Sequence, residues 1–330
     1  MTRGSSTDPV PGALGQPNTQ AVFGNFDNNR QSYGGRLTLG IGLDEGSDWS
    51  IQASGFWLAD TQSNFSVSSA GEAGSLVLAR PFFNVVAGVQ DADPVAFPRL
   101  ASGSIQTESL RRFYGTDLAL RYLYIDDTTG RFSFLFGPSY FALEESLRIQ
   151  ENSQDLPGLG VPGNTYLLRE DFSTINTFFG GQLGVDYEYR LGPVFFKTVG
   201  KLGIGEVSQV TRRSPFTQIT EPNGIVTSSS DRALYISPAN AGRSSRTRFG
   251  LMPEGLFRWG IDLNEYVQVS AGYSILYLNN VARPGDLIDH NVIIQPVGTS
   301  ATFVSRGNPG ISSSTDFTAQ GLDISLRLSF

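Results

Sequence analysis

The last ten residues of the chain, 321–330, alternate strictly between apolar and polar side chains. From Leu322 onward every even position is apolar and every odd position is polar, and the chain ends on Phe330. Successive side chains of a β-strand point to opposite faces, so this segment has one apolar and one polar face. In a transmembrane β-barrel the apolar face of such a strand contacts lipid and the other lines the lumen. We therefore expect an all-β fold, an antiparallel up-and-down transmembrane β-barrel.

The composition allows a membrane barrel and excludes several other classes of protein. The 330 residues are 39% hydrophobic and 12% aromatic, yet no uninterrupted apolar run reaches the roughly 18 residues that a transmembrane helix needs. Cysteine is absent, which rules out disulfides and thiolate metal sites. The net charge of −7 argues against nucleic acid as a partner.

Nine long segments carry the alternation that is typical of strands. They are residues 33–43, 49–66, 113–125, 131–150, 169–189, 194–210, 247–261, 266–279 and 317–330. In the first segment, Leu37, Leu39 and Ile41 alternate with polar residues and glycine. In the fourth, the alternation changes phase near Pro138, which predicts a β-bulge there.

Short and long connections alternate along these segments. The short turns are residues 44–48, 126–130, 190–193 and 262–265, and the long loops are residues 67–112, 151–168, 211–246 and 280–316. Outer-membrane barrels have this asymmetry, with brief periplasmic turns and extended outer loops. Aromatic residues flank the short turns and predict a membrane-interface girdle, because a ring with a polar tip favours that boundary. The predicted interface aromatics are Trp49, Tyr124, Phe132, Tyr189, Phe195, Trp259, Tyr266 and Phe330.

Nine strands conflict with the even strand number of bacterial barrels. The first segment runs into a short turn, so the chain enters it from the side of the long loops. Residues 1–32, rich in Gly, Pro, Asn and Ser, are then an N-terminal outer-loop segment, and residues 33–330 are the barrel domain. No apolar export signal follows Met1. We therefore expect a signal peptide and one strand upstream of Met1, and ten strands in the intact barrel.

A soluble all-β sandwich is the alternative fold, since its strands also alternate apolar and polar residues. Strands of soluble proteins are usually about five or six residues long, whereas most of the nine segments are much longer. A soluble sandwich also has no need of aromatic residues at the ends of its strands. Both observations favour the membrane barrel.

Five motifs are distinctive. They are Tyr33-Gly-Gly-Arg-Leu-Thr-Leu-Gly40, Leu78-Ala-Arg-Pro-Phe-Phe-Asn84, Gly103-Ser-Ile105, Gly272-Tyr-Ser-Ile-Leu-Tyr-Leu-Asn-Asn-Val-Ala-Arg-Pro-Gly-Asp286 with Ile288-Asp289, and the closing strand. Together they resemble the planctomycetal outer-membrane beta-barrel family called beta barrel protein seven, over nearly the whole chain. The resemblance implies an outer-membrane barrel with an export signal and a Trp-rich strand upstream. It implies no established reaction or cargo.

The polar faces of the predicted strands carry charges of both signs. The predicted lumen-facing charged residues are Arg36, Asp117, Arg121, Asp186, Glu188, Lys197, Lys201, Arg248, Glu254, Arg258, Asp323 and Arg327. A barrel of about eight strands is filled by its side chains, whereas about sixteen strands leave an aqueous channel. We therefore expect these charges to pair across a ten-stranded barrel and largely fill its lumen. A narrow solute or ion path with a charge-selective constriction is the alternative.

A surface hydrolase is a second alternative, because Asp289 precedes the single histidine, His290, and an imidazole can act as a general base. An ordinary loop histidine is the competing interpretation, since no second His or Cys is present. The aspartates in residues 91–93 and those in residues 126–130 could each supply oxygen ligands to Ca²⁺. The alternative is a solvated loop for residues 91–93 and a hairpin turn for residues 126–130. We expect no metal and no cofactor.

The sequence thus predicts an integral outer-membrane barrel with a structural or surface-interaction role and no enzymatic activity. The Arg-Pro motifs at 80–83 and 283–286 lie in separate long loops, where the expected role is loop packing over the barrel mouth. The expected partners are outer-membrane lipid and, through the closing strand, the barrel-assembly machinery.

Overall fold

The computed structural model describes residues 1–23, 31–43, 46, 48–158, 161–297, 300–305 and 314–329. Within these residues the fold is all-β and almost entirely antiparallel, as predicted, with a single-turn 3₁₀ helix at Pro284–Leu287. The strands are β1 (Thr2–Gly4), β2 (Gln20–Ala21), β3 (Gly34–Gly42), β4 (Trp49–Ser69), β5 (Val77–Asn84), β6 (Val89–Ala96), β7 (Ala101–Asp126), β8 (Gly130–Asp155), β9 (Thr165–Leu191), β10 (Val194–Thr220), β11 (Val226–Ser229), β12 (Gly242–Asp262), β13 (Val267–Val281), β14 (Asn291–Val297), β15 (Ser300–Ser305) and β16 (Thr315–Leu328).

Nine of these strands form the larger sheet, in the order β3, β4, β7, β8, β9, β10, β12, β13 and β16, and β11 pairs with β10 beside them. Each of the nine predicted segments overlaps one of these strands. Neighbours along the chain are neighbours in the sheet, so the topology is an up-and-down meander. In the described ranges, β3 and β16 are the two edges and do not pair with each other.

The larger sheet curls so that side chains from distant strands meet on one face. The Arg36 guanidinium on β3 lies 2.5 Å from the Glu254 carboxylate on β12, although five strands separate them in the sheet. The rings of Phe113 on β7 and Phe317 on β16 have centroids 5.0 Å apart. We call this the enclosed face of the sheet and the opposite one its outer face.

A belt of exposed apolar side chains covers the outer face on the half nearest the short turns. On β9 the belt runs from Phe179 to Leu191 and includes Leu183 and Tyr187, which are 63% and 44% exposed. At about 3.3 Å per residue and a tilt of about 40°, such a run is about 30 Å tall, close to the hydrocarbon thickness of a bilayer.

The strands continue beyond this belt with the two faces inverted. On β8, Phe134 and Phe136 are exposed on the outer face, whereas Phe141 and Leu143 are buried on the enclosed face. The outer face above the belt is polar instead. Several segments predicted as loops are therefore strand, since β7 begins at Ala101 and β8 ends at Asp155.

The prediction of a β-bulge at Pro138 was wrong, and the inversion of the two faces explains why. The β7–β8 register is the same on both sides of Pro138, and the register shift in this pair lies between Leu123 and Ile125. Apolar residues change faces near Pro138 because the strand leaves the apolar belt, and the backbone phase itself does not change.

The remaining strands form a second sheet in the order β15, β14, β5, β1 and β2, with β6 paired to β5. We call this sheet, residues 233–241 and the 3₁₀ helix the loop-built assembly. It packs on the enclosed face of β7, β8 and β9 through a shared core. That core contains Leu78, Phe82, Val95, Ala96, Ile105, Leu147, Ile149, Phe172, Leu234, Tyr235, Ile236, Leu287 and Val292. The predicted outer-loop segment 1–32 contributes β1 and β2, and residues 24–30 lie outside the described residues.

Candidate functional site: the enclosed face

Ion pairs connect distant strands on the enclosed face. Lys201 on β10 donates to Asp117 on β7 at 3.1 Å and lies 3.8 Å from Glu254 on β12. Gln182 on β9 donates to the same Asp117 carboxylate at 3.0 Å. Because Glu254 also pairs with Arg36, one chain of charges joins β3, β12, β10 and β7.

A second group of charges lies nearer to the short turns. Asp186 on β9 lies 2.9 Å from Lys197 on β10 and 3.8 Å from Arg121 on β7. Glu188, also on β9, lies 3.9 Å from Lys197 and 3.8 Å from Arg327 on β16. The two carboxylates are almost fully buried, and buried charges are tolerated when they are paired in this way.

Further pairs lie at the end of the sheet that carries the short turns. Arg258 donates to Asp323 at 3.0 Å, and Arg190 lies 2.6 Å from both Glu188 and Asp262. The sequence pattern did not single out Arg190 and Asp262, because they lie at strand ends next to turns. Their opposite charges at matching ends of β9 and β12 are the only signal that the sequence offers.

Eleven of the twelve charged residues assigned to the lumen from sequence take part in these ion pairs. Arg248 lies apart, exposed on the enclosed side of β12 beyond Gly250. The arrangement brings cations and carboxylates together from across the curl of the sheet. That these residues line the lumen of a closed barrel stays a prediction.

An apolar cluster fills the enclosed face above the ion pairs. Phe113 packs against Phe141, Phe317 and Phe56, with ring centroids 4.6, 5.0 and 5.2 Å apart. The cluster also contains Leu143, Phe178, Val207, Met252, Leu276, Leu278 and Val281. It draws on every strand of the larger sheet except β3. Sequence reasoning missed it, although the switch of apolar residues to the opposite phase at Phe141 was visible.

The predicted interface aromatics do not all face outward. Trp49, Tyr124, Tyr189, Trp259 and Tyr266 are exposed, and Phe132 is half-buried. Phe195 contradicts the prediction, because it is 3% exposed and lies on the enclosed face. The tight turn after β9 fixes the register so that the next residue, Phe196, points outward and stacks on Trp259 with centroids 6.5 Å apart. Phe330 lies outside the described residues.

Comparison with known families identifies a match over residues 2–330, to the family described as putative beta barrel porin-7 (BBP7). The chain belongs to the BBP7 family. The resemblance seen in the sequence motifs is therefore confirmed. Comparisons with curated proteins and with solved structures give no significant match. No helix among the described residues is long and apolar enough to cross a membrane.

The histidine of this BBP7 family member lies against the loop-built assembly. The His290 ring packs edge-on against Tyr235, with centroids 5.2 Å apart. The backbone carbonyl oxygen of His290 accepts a hydrogen bond from the backbone N–H of Phe83 at 2.8 Å. The Asp289 carboxylate accepts hydrogen bonds from the backbone and side chain of Asn291, both at 3.0 Å. These contacts favour loop packing over a catalytic role for both residues.

The aspartates at 126–130 form a hairpin turn. Asp127 accepts the backbone N–H groups of Thr129 and Gly130 at 2.8 and 2.6 Å, which holds the pKa of its carboxyl below the ordinary value. Asp126 lies 2.8 Å from Arg131. In the part of the chain that the structure describes, no group of three or more His, Cys, Asp or Glu side chains is arranged to hold a metal.

Proposed function

We propose that this BBP7 family member is an integral outer-membrane β-barrel whose interior is occluded by its own side chains. The apolar belt supports membrane insertion, because soluble proteins rarely expose contiguous apolar surface of this extent. Leu322, Ile324 and Leu326 on β16 are 89%, 86% and 63% exposed. A soluble sandwich buries its apolar face against a second sheet. Here the second sheet packs on the opposite face.

The apolar cluster around Phe113 is the main observation that supports an occluded interior. It contains residues from eight strands, and beneath it the ion pairs of Lys201 and Asp186 fill the same enclosed space. A barrel of about eight to ten strands has room for side chains and for little else. The interior therefore has an apolar layer over a charged layer, and neither is a water-filled path.

The two edge strands set a requirement for the proposal. Hydrocarbon offers no hydrogen-bond partners, so an open sheet edge is not tolerated in the core of a bilayer. The edges at β3 and β16 must therefore be paired in the membrane. The apolar outer faces of both strands, which include Leu39 and Leu326, support their placement in the lipid-facing wall.

A narrow porin is the second candidate function, and the description of the BBP7 family favours it. The charged layer would then be a selective constriction. Conductance of purified protein in a planar bilayer separates the two candidates. The occluded barrel is expected to give no stable stepwise conductance, whereas a reproducible single-channel step in the wild-type protein would establish the porin.

A matched pair of variants strengthens this measurement. Phe113→Ala combined with Phe317→Ala removes two buried rings from the apolar layer and is expected to produce channel openings. Phe134→Ala removes a ring of the same size from the outer face, where Phe134 is 42% exposed, and is expected to stay silent. Equal conductance in the two variants would show that the apolar layer does not block the lumen.

Family membership and the packing of His290 support a non-enzymatic role, structural or in surface interaction. In this role the barrel holds the loop-built assembly at the cell surface. The lipid of the outer membrane surrounds the apolar belt, and the closing strand engages the assembly machinery. His290→Ala is expected to leave any hydrolytic activity of the purified protein unchanged. Loss of such activity would support the alternative that the protein is a surface hydrolase. Recovery of the protein in the inner-membrane or soluble fraction of its native cells would contradict the location.

A further inference from the structure

A fully buried guanidinium lies where the loop-built assembly meets the larger sheet. Arg80 on β5 is 0% exposed and pairs with two buried carboxylates, Glu170 on β9 and, at 3.4 Å, Glu151 on β8. These pairs join the assembly to two strands of the sheet. Since all three side chains are buried, none is stabilised by bulk water.

The Glu170 carboxylate also holds a second segment of the assembly. It accepts the backbone N–H groups of Tyr235 at 2.6 Å and Ile236 at 3.1 Å. The Arg80 guanidinium lies 4.6 Å from the centroid of the Tyr235 ring, and the Tyr235 hydroxyl donates to the carbonyl of Pro81 at 2.8 Å. Two loops that are far apart in sequence are therefore fastened to the sheet at one point.

The cluster has more carboxylates than cations. Asp93 on β6 is the direct cross-strand neighbour of Arg80, so a third carboxyl group lies near the guanidinium that pairs with Glu151 and Glu170. Burial raises the pKa of Asp93 to about 6 and that of Glu151 to about 8. The closed cluster therefore holds protons that these carboxyl groups lose once they are hydrated.

We propose that this cluster is a proton-controlled latch, which fastens the loop-built assembly to β8 and β9 at mildly acidic pH and releases it as the pH rises. With protons bound, the Asp93 and Glu151 carboxyl groups are neutral, and Arg80 keeps its ion pair with Glu170. Without them, three negative charges lie near one positive charge, and two of the three, on Glu151 and Glu170, are almost fully buried. Like charges in such a site repel strongly and favour release.

The raised pKa values set the direction and the pH window of the effect. The Glu151 carboxyl has an ordinary pKa of 4.5 in the released state and about 8 in the latched state, so between these values the latched state binds the extra proton. The equilibrium constant for release therefore rises by up to about tenfold per pH unit in this window. Asp93 acts in the same direction between 3.8 and about 6.

Other acidic groups face the cluster from the same assembly. Asp91 on β6 adds negative charge beside Asp93 and so favours its protonated form. Burial raises the pKa of the Tyr235 phenol, which stays protonated across the window. Neither group changes the sign of the effect.

One cationic group acts in the opposite direction. Partial desolvation lowers the pKa of His290, so this group favours the latched state as the pH rises. The pKa of Glu151 differs most between the released and latched states, so Glu151 titrates over the widest pH range. Replacing Glu151 by a neutral residue therefore separates its effect on release from the effects of the other groups.

Hydrogen exchange of the full-length protein in lipid nanodiscs measures release directly. Protection of residues 77–96 and 233–241 is followed by mass spectrometry from about pH 5 to about pH 8, after correction for the intrinsic exchange rate at each pH. In the wild-type protein, protection of both segments is expected to fall as the pH rises, by up to about tenfold per pH unit above about pH 6, where Glu151 releases its proton. The lower half of β9 is the internal reference and is expected to show no change.

Glu151→Gln keeps a hydrogen-bonding group of the same shape and removes the titration, so it is expected to abolish most of the pH dependence. Glu151→Gln with Asp93→Asn leaves one carboxylate for one guanidinium and is expected to lose the fall in protection that the wild-type protein shows as the pH rises. Glu108→Gln is the control, since Glu108 is a half-exposed carboxylate on the outer face of β7.

A flat wild-type profile would overturn the latch, and so would a Glu151→Gln protein that keeps the wild-type slope. If Glu151→Gln fails to fold, the wild-type profile still decides the question. Conductance plays no part in this measurement, so failure of the latch leaves the proposed occluded barrel untouched.

Discussion

Replacing Leu326 by arginine tests which solvent the outer face meets. Leu326 lies within the apolar belt on β16 and is 63% exposed. In a bilayer, arginine costs about 2–4 kcal/mol at the midplane, which is roughly a 30- to 700-fold change in the folding equilibrium, and less toward the interfaces, so this range is the upper limit for Leu326 near the end of β16. On a water-facing surface, a substitution away from any special contact changes stability by less than about 0.5 kcal/mol. The two environments therefore predict clearly different outcomes for the same variant.

The assay is reversible unfolding of the protein from lipid vesicles in denaturant, followed by gel mobility of the folded barrel. The matched control is Thr318→Arg, because Thr318 lies on the same strand and the same face but above the belt, where it is exposed. The control is expected to stay within about 0.5 kcal/mol of wild type. Equal stability of Leu326→Arg, Thr318→Arg and wild type would refute the lipid-facing assignment.

Three further predictions concern the enclosed face and its turns. Phe113→Ala is expected to destabilise the protein by about 3–5 kcal/mol, because Phe113 is buried among three other rings; a loss below about 1 kcal/mol in the same unfolding assay would contradict this packing. Lys201→Met is expected to cost about 3–5 kcal/mol, because it leaves the Asp117 carboxylate without its cation. Lys201→Met with Asp117→Leu is expected to recover most of that loss, and additive effects of the two substitutions would show that the two residues do not form a stabilising pair. Arg131→Gln is expected to cost less than about 1 kcal/mol, since the Arg131 and Asp126 side chains are 40% and 42% exposed; a larger loss would show that this turn is more tightly held than its exposure indicates.

The strands of the larger sheet were predictable because the apolar belt imposes a period of two on every one of them. On β3, for example, Leu37, Leu39 and Ile41 face outward and Arg36 faces the enclosed side, as the alternation indicates. The upper ends of the strands were not recognised as strand. There the outer face is polar and the apolar residues lie on the enclosed face, so the continuous apolar face that predicts a strand ends at the belt.

Contacts between residues distant in sequence could not be derived from the local pattern. Arg80 and Glu170 are 90 positions apart, and nothing in the alternation of either segment joins them. The prediction of the interface aromatics was wrong at Phe195 for a different reason. A single position of register decides whether Phe195 or Phe196 faces outward, and aromatic content near a turn does not specify that register.

The three tryptophans of the chain provide the most direct measurement of where the outer face lies. Trp49, Trp57 and Trp259 are all on the outer face, 38%, 56% and 63% exposed. In vesicles of lipids with brominated acyl chains, the account predicts strong quenching of their fluorescence by the bromine and little quenching by aqueous iodide. Strong quenching by iodide with no effect of the brominated lipids would place the belt in water and contradict the account.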